Sequence, residues 1–201
     1  MTSPSFARIG AGCGAVFAVV LFVASGNGNN AFLAPRAVAG LAALTLFVPF
    51  LAYLCSRLRA AEGENGWLAT TALVAGMVGM TIKIVSVVPD LVLHRAQIAD
   101  GTRMHTIVST FADAATVIAL YPLAVSCAAI AMVALRTAVL PRWLGVGAAI
   151  TAVALAVNGA FLEASFVPAL LLFILWTLVA SVYLLRITWR PVARVQTVAG
   201  H

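Results

Sequence analysis

The sequence predicts an all-α fold, a polytopic membrane bundle of six transmembrane helices with both termini in the cytoplasm. Of the 201 residues, 63% are hydrophobic and 9% are charged, and the mean hydropathy is +1.09. A soluble domain of this size has no interior large enough to hide so much apolar surface. The apolar residues also fall into six runs, most of them close to the roughly 20 residues that a helix needs to cross a bilayer. We therefore expect a single membrane domain, residues 1–201, with lipid as its solvent.

The boundaries of the spans follow from the polar residues between them. Gly, Asn, Pro and charged residues cluster between the runs, as at Gly26–Asn30 and Glu62–Gly66. None of the runs alternates between apolar and polar residues as a barrel strand does, so each is interpreted as a helix. The predicted spans are about 9–24, 37–55, 67–88, 106–135, 143–161 and 166–185.

The first run has two interpretations. Arg8 precedes it and Val23-Ala24-Ser25 follows it, which is the layout of a signal peptide with a cleavage site. Gly12 and Gly14 favour a retained helix, because glycines let membrane helices pack closely. Cys13 in this run, with Cys55 and Cys127, falls in the cytoplasmic half, where no disulfide is expected.

The arginines predict the orientation. Eleven of the twelve basic residues are arginine, which with abundant Ala and Val is typical of a GC-rich bacterial genome. Eight arginines share a side with the N-terminus and three lie on the other side. The positive-inside rule therefore places both termini on the cytoplasmic side of the inner membrane. The eight are Arg8, Arg57, Arg59, Arg136, Arg142, Arg186, Arg190 and Arg194, and the three are Arg36, Arg95 and Arg103. Trp67 and Trp143 begin spans on the cytoplasmic side, at the interface that tryptophan prefers.

Two charges lie well inside apolar runs, Lys83 and Asp113. A charge at the centre of a bilayer costs about 3 kcal/mol or more unless it is paired or hydrated. Lys83 lies six residues before Pro89, and Asp113 seven residues after Thr106, so both are expected about 9–10 Å below the same surface. Neighbouring antiparallel helices would then carry opposite charges at matched depth. We predict a buried Lys83–Asp113 salt bridge.

Small and hydroxylated residues surround both charges. Helical spacing aligns the residues of each group on one face. The groups are Gly76, Gly79, Lys83, Ser86 and Asp90 on the third span, and Thr106, Ser109, Thr110, Asp113 and Thr116 on the fourth. Such faces either pack two helices together or line a polar vestibule, and both interpretations stay open. Asn158 and Glu163 on the fifth span could join them. The candidate binding cluster is Lys83, Asp113, Ser86, Ser109, Thr110, Asn158 and Glu163.

Other kinds of site have weaker support. Asp90, His94 and His105 lie in the third connection, the longest, but their spacing resembles a metal set only loosely, and no cofactor is expected. There is no Gly-x-Ser-x-Gly elbow, His-Glu-x-x-His motif or phosphate-binding glycine loop. The arginines do not alternate with aromatics as a nucleic-acid surface requires. The tail with Arg186, Arg190 and Arg194 could contact anionic lipid.

A resemblance appears at the turn before the fifth span. The Leu-Pro-Arg-Trp-Leu-Gly turn at 140–145, after the Tyr-Pro-Leu of 121–123, resembles that of a small six-span bacterial membrane protein family of unknown function. The resemblance implies a fold and a membrane location and no catalytic residues. Physically, Pro141 ends the turn, Arg142 meets lipid phosphate, Trp143 anchors the interface, and Gly145 permits close packing.

Three classes of function remain. An accessory, regulatory or structural membrane protein needs the buried pair only as a lock, and it is the first expectation. A transporter or proton-coupled permease for a small polar solute would use a polar cavity in the outer half, and a membrane-embedded enzyme is the third class. The inner half is largely apolar and no inverted three-helix repeat is visible, which weakens the transporter interpretation. A homo-oligomer or a membrane partner protein is left open.

Overall fold

A computed structural model describes residues 4–25, 33–63, 66–96, 98, 101–161 and 167–189. All regular secondary structure in these residues is helical, and six of the helices are long and apolar enough to cross a membrane. The predicted all-α fold with six candidate spans is confirmed. The helices are α1 Pro4–Ser25, α2 Leu33–Glu62, α3 Trp67–Val85, α4 Val88–Arg95, α5 Arg103–Thr137, α6 Arg142–Ala160 and α7 Val167–Thr188.

The region between the third and fourth spans differs from the prediction. Helix α3 ends at Val85, and after the turn at Ser86 and Val87 a new helix, α4, begins at Val88. Pro89 lies in the first turn of α4, where its missing N–H costs no helical hydrogen bond. Helix α5 starts at Arg103, with the Thr102 hydroxyl accepting a hydrogen bond from the His105 N–H at 3.2 Å. The expected long loop from 90 to 105 is therefore wrong, since only residues 96–102 connect α4 to α5.

The six long helices form a closed ring. Each packs on two neighbours, in the order α1, α2, α3, α5, α6, α7 and back to α1, and α2 also touches α5 across the ring. Neighbours run antiparallel. One end, where α1, α3 and α6 begin, carries six of the described arginines, and we call it the basic end; the other is the opposite end. The six are Arg8, Arg57, Arg59, Arg136, Arg142 and Arg186.

Glycines in α1 allow the helices to approach. A Cβ on Gly14 would overlap the Ser181 hydroxyl on α7 and the Phe50 ring on α2, and one on Gly10 would lie 2.7 Å from the Tyr53 Cβ. Nothing lies within 4 Å of a Cβ on Gly12. The packing role expected for Gly14 is confirmed, whereas the one expected for Gly12 is wrong because that position faces away from the neighbouring helices.

Aromatic side chains fill the contact between α1, α2 and α7. The Phe47 ring lies 4.9 Å from the ring of Phe17, 5.7 Å from that of Phe50 and 5.7 Å from that of Phe173, measured between centroids. All four rings are buried. Aromatic pairs at such distances add stabilisation beyond the area that they bury. This cluster lies next to the candidate site described below.

Directional contacts join the other helices. The Glu62 carboxylate, at the end of α2, accepts hydrogen bonds from the backbone N–H groups of Leu68 and Ala69 at 3.0 and 2.9 Å. It thereby caps the start of α3, where a negative charge is favoured by the helix dipole. On the other side of the ring, the Trp176 indole N–H donates to the Leu144 carbonyl at 3.1 Å and ties α7 to α6.

Candidate functional site

The contact between α3 and α5 is close because α3 presents glycines. A Cβ on Gly76 would lie 2.9 Å from the Ser126 hydroxyl, and one on Gly79 would lie 2.7 Å from the Leu123 Cγ. The Ser126 hydroxyl donates to the Ala72 carbonyl at 2.7 Å, an interhelical hydrogen bond in the buried core. The small residues predicted to bring these two helices together therefore do so.

Lys83 lies farther along the same contact, towards the opposite end. Its side chain is half-buried, and the ammonium Nζ donates to the Thr116 hydroxyl on α5 at 2.8 Å. The Ser126–Ala72 and Lys83–Thr116 contacts lie 11 residues apart on α3 and 10 apart on α5. The two hydrogen bonds therefore belong to one continuous antiparallel register.

Lys83 and Thr116 also line a small cavity inside the ring. Its volume is about 20 Å³, which is room for about one water molecule. Side chains from α1, α2, α3, α5 and α7 surround it, and Lys83 and Thr116 are the polar ones among those that line it. The apolar side chains are Phe17, Leu21, Leu44, Met80, Ala119, Leu120, Leu123, Leu170 and Phe173. The Lys83 side chain thus points into the ring, away from the lipid-facing surface.

Asp113 does not join Lys83 in this site. Its side chain is exposed, and it lies three residues before Thr116, about 4.5 Å nearer the opposite end along α5. Between these two described side chains there is no salt bridge; the ammonium bonds Thr116 instead. The equal depths expected for Lys83 and Asp113 were counted from Pro89 and Thr106, on the assumption that these two residues lie at the same membrane surface. The helices pack about three residues out of that register, so Asp113 is level with the end of α3.

The candidate hydroxyls of the polar faces bond to their own helices. Ser86 donates to the Lys83 carbonyl at 2.7 Å, while Ser109 and Thr110 both donate to the Thr106 carbonyl, at 3.1 and 2.7 Å. Ser86 is buried, Ser109 half-buried and Thr110 exposed, and none of the three lines the cavity beside Lys83. These residues satisfy local backbone groups, as hydroxyls in membrane helices commonly do.

Asn158 lies in a different layer of the bundle. It is buried on α6, and a Cβ on its neighbour Gly159 would lie 3.2 Å from the Tyr121 ring. Tyr121 follows Thr116 by five residues, so this level lies about 7.5 Å from Thr116 towards the basic end. Asn158 is not among the residues that line the cavity. Glu163, the other residue expected from the fifth span, lies outside the described residues.

Of the weak metal candidates, only His105 has a described side chain. The side chains of Asp90 and His94 lie outside the described ones, and His105 sits in the first turn of α5. Among described side chains, no group of three or more His, Cys, Asp or Glu is placed to hold a metal ion. Of the arginines expected to contact anionic lipid, Arg186 is exposed in the last turn of α7, and Arg190 and Arg194 lie outside the described residues.

Comparison with known proteins adds no relative. No protein-family model, no curated protein and no solved structure matches the chain. The family suggested by the turn at 140–145 therefore remains an expectation. The turn itself has the predicted packing, because a Cβ on Gly145 would lie 3.0 Å from the Leu135 side chain.

Proposed function

We propose that the chain is a multi-pass protein of the bacterial inner membrane with a structural or accessory role, in which Lys83 and Thr116 hold α3 to α5. The observation that carries this proposal is the position of the Lys83 ammonium. It faces the interior of the ring, bonds a hydroxyl on the neighbouring helix at 2.8 Å, and adjoins a cavity of about 20 Å³. An ionisable residue inside the membrane is costly, so it is normally kept only where it has a structural or functional role of this kind.

The size and lining of the cavity favour the structural role over transport. A solute larger than water does not fit in about 20 Å³, and the described residues of the cavity wall are apolar apart from Lys83 and Thr116. The hydroxyls of Ser109 and Thr110, which a polar path would use, bond to the backbone of α5. Transport or catalysis at Lys83 would require another conformation, in which the site is wider and hydrated. Measurements on variants of Lys83 and Thr116 distinguish this alternative from the structural role.

A double-mutant cycle tests the role of Lys83 and Thr116. Thr116→Val removes an acceptor from the ammonium, and we expect it to lower the free energy of unfolding by about 1.5–3 kcal/mol, the usual value for a hydrogen bond to a charged group. Lys83→Met replaces the charge with an apolar chain of similar length. Because both changes remove the same contact, adding Thr116→Val to Lys83→Met should have much less effect than Thr116→Val alone. Equilibrium unfolding in detergent micelles measures all four proteins.

The control and the decisive outcome use the same set of variants. Thr110→Val removes an exposed hydroxyl that bonds only α5 itself, so it should change stability by less than about 0.5 kcal/mol. In cells that lack the wild-type protein, a well-folded Lys83→Met, Thr116→Val double variant should restore the wild-type phenotype. A folded double variant with no cellular activity would overturn the structural role and favour transport or catalysis.

The proposal also assigns an orientation. Besides its six described arginines, the basic end carries exposed Trp67, Trp143 and Trp189, the amphipathic residues that concentrate at a membrane interface. Arg36, Arg95 and Arg103 are the arginines of the opposite end among the described residues. The positive-inside rule therefore supports a cytoplasmic basic end, with both termini inside.

Reporter fusions test this orientation. Green fluorescent protein joined after His201 should fluoresce, because it folds in the cytoplasm, and alkaline phosphatase joined there should be inactive. Alkaline phosphatase inserted in the 96–102 connection should be active, since that connection lies at the opposite end. The reversed pattern of activities would show that the basic end faces outward.

A further inference from the structure

Helix α5 is longer than the ring requires. Its 35 residues span about 52 Å, against about 28 Å for the 19 residues of α6 and about 30 Å for the hydrocarbon of a bilayer. Near the end of α6, Gly159 packs on Tyr121, so the 18 residues of α5 before Tyr121 reach about 27 Å past that level. Helix α4 packs on this part of α5 and on α2. The α4–α5 hairpin therefore projects beyond α6 at the opposite end.

An apolar groove runs along this hairpin. Its inner part has a volume of about 370 Å³, and the described residues that line it are all apolar: Val85, Val88, Pro89, Val92, Ile107, Val108 and Phe111. The largest of these side chains are well exposed, with 59% of Phe111 and 57% of Ile107 accessible. A second hollow of about 420 Å³ shares Val88 and Val92 and continues along α4 to Arg95. The two hollows make one track, whose described lining residues are apolar over most of its length, with Arg95 at its outer end.

The polarity of the track matches that of a lipid in the adjacent leaflet. Val85 lies two residues from Lys83 on α3, and Phe111 lies five residues from Thr116 on α5. Arg95 is the last residue of α4, seven residues and about 10 Å beyond Val88 along that helix, and its side chain is exposed. A phospholipid has its acyl chains towards the bilayer centre and its phosphate outward. The guanidinium has the donor geometry that phosphate prefers.

We infer that the α4–α5 groove binds a phospholipid with an anionic headgroup, its acyl chain along the Val85–Phe111 part and its phosphate at Arg95. A second copy of the chain is a poorer occupant. A twofold axis along the membrane normal would bring two such cationic tips to the same level, where like charges repel.

Native mass spectrometry of the full-length protein in detergent, titrated with phosphatidylglycerol, tests the site. We expect one tightly retained lipid and at least a tenfold weaker affinity in Arg95→Gln, the change that corresponds to losing one hydrogen bond to a charged group. Val88→Trp should fill the groove and displace the same lipid. Arg136→Gln, at the basic end, is the matched control and should leave that affinity unchanged. Diacylglycerol, which lacks the phosphate, should bind wild type and Arg95→Gln equally weakly.

Two results would overturn the inference. One is phosphatidylglycerol retention that is the same in wild type, Arg95→Gln and Val88→Trp, which would mean that lipid binds elsewhere. The other is a wild-type dimer that Val88→Trp converts to a monomer without a change in lipid retention, which would assign the groove to a second copy. Circular dichroism of each variant establishes that the helices are retained, so a loss of lipid cannot be attributed to unfolding.

Discussion

Gly14→Val is expected to destabilise the protein more than any other single change at the small residues of α1. The added side chain would overlap the Ser181 hydroxyl and the Phe50 ring, so α1 would have to move away from both α7 and α2. Overpacking of a filled core typically costs about 1–3 kcal/mol. Here the cost should reach the upper part of that range, because two helices are displaced together. Thermal unfolding in detergent, followed by circular dichroism, measures the loss.

Gly12→Val is the matched control for this prediction. It adds the same side chain to the same helix two residues away, where nothing lies within 4 Å of the new Cβ. Helix propensity changes almost equally at the two positions, so the difference between the variants isolates the packing term. Equal unfolding temperatures for Gly12→Val and Gly14→Val would mean that α1 does not pack on α2 and α7 through Gly14.

The sequence predicted the six long helices because each carries its own signal, an apolar run of bilayer length. Helix α4 has no such signal. It and the first turns of α5 project past the end of α6, and α2 also begins before its apolar run does. Polar residues are tolerated there, so the apolar runs end before the helices do. The predicted boundaries therefore mark where the apolar runs end, and the helices extend beyond those boundaries.

The candidate site was predicted in part. Lys83 was correctly singled out as a residue whose charge needs a partner inside the bundle, and the α3–α5 contact was identified from its small residues. The choice of Asp113 over Thr116 depended on depths counted from the ends of apolar runs. An error of three residues in that count moves a side chain by about 4.5 Å and to another position around the helix. The glycine contacts fix the register of α3 against α5, so they were a better guide to the Lys83–Thr116 contact than those depths.

The cavity beside Lys83 could not be predicted from the sequence. It is lined from five helices, and its largest side chains, Phe17 and Phe173, come from the first and last of them. Individually these residues are ordinary apolar positions in apolar runs. They meet because the ring closes through the contact between α1 and α7, a property of the whole assembly. The same closure places the phenylalanine cluster directly against the site.

Phe47→Ala is expected to have the second large effect, because Phe47 is the member of that cluster in contact with the other three rings. Truncation of a buried phenylalanine to alanine typically costs about 3–5 kcal/mol, through lost contacts and the cavity that remains. Lipid cannot easily fill the space, since Phe47 is only 2% exposed. Chemical unfolding in micelles should show a loss of at least about 3 kcal/mol.

Phe22→Ala provides the comparison, because it removes the same ring from an α1 position that is 61% exposed. It should alter stability by less than about 0.5 kcal/mol, as surface substitutions usually do. A Phe47→Ala protein as stable as Phe22→Ala would show that α1, α2 and α7 do not close the ring through this cluster. If the loss occurs as expected, Lys83→Met in the Phe47→Ala background should cost less than in wild type. Phe17 and Phe173 would then no longer be held against the cavity, and the lysine would already be partly hydrated.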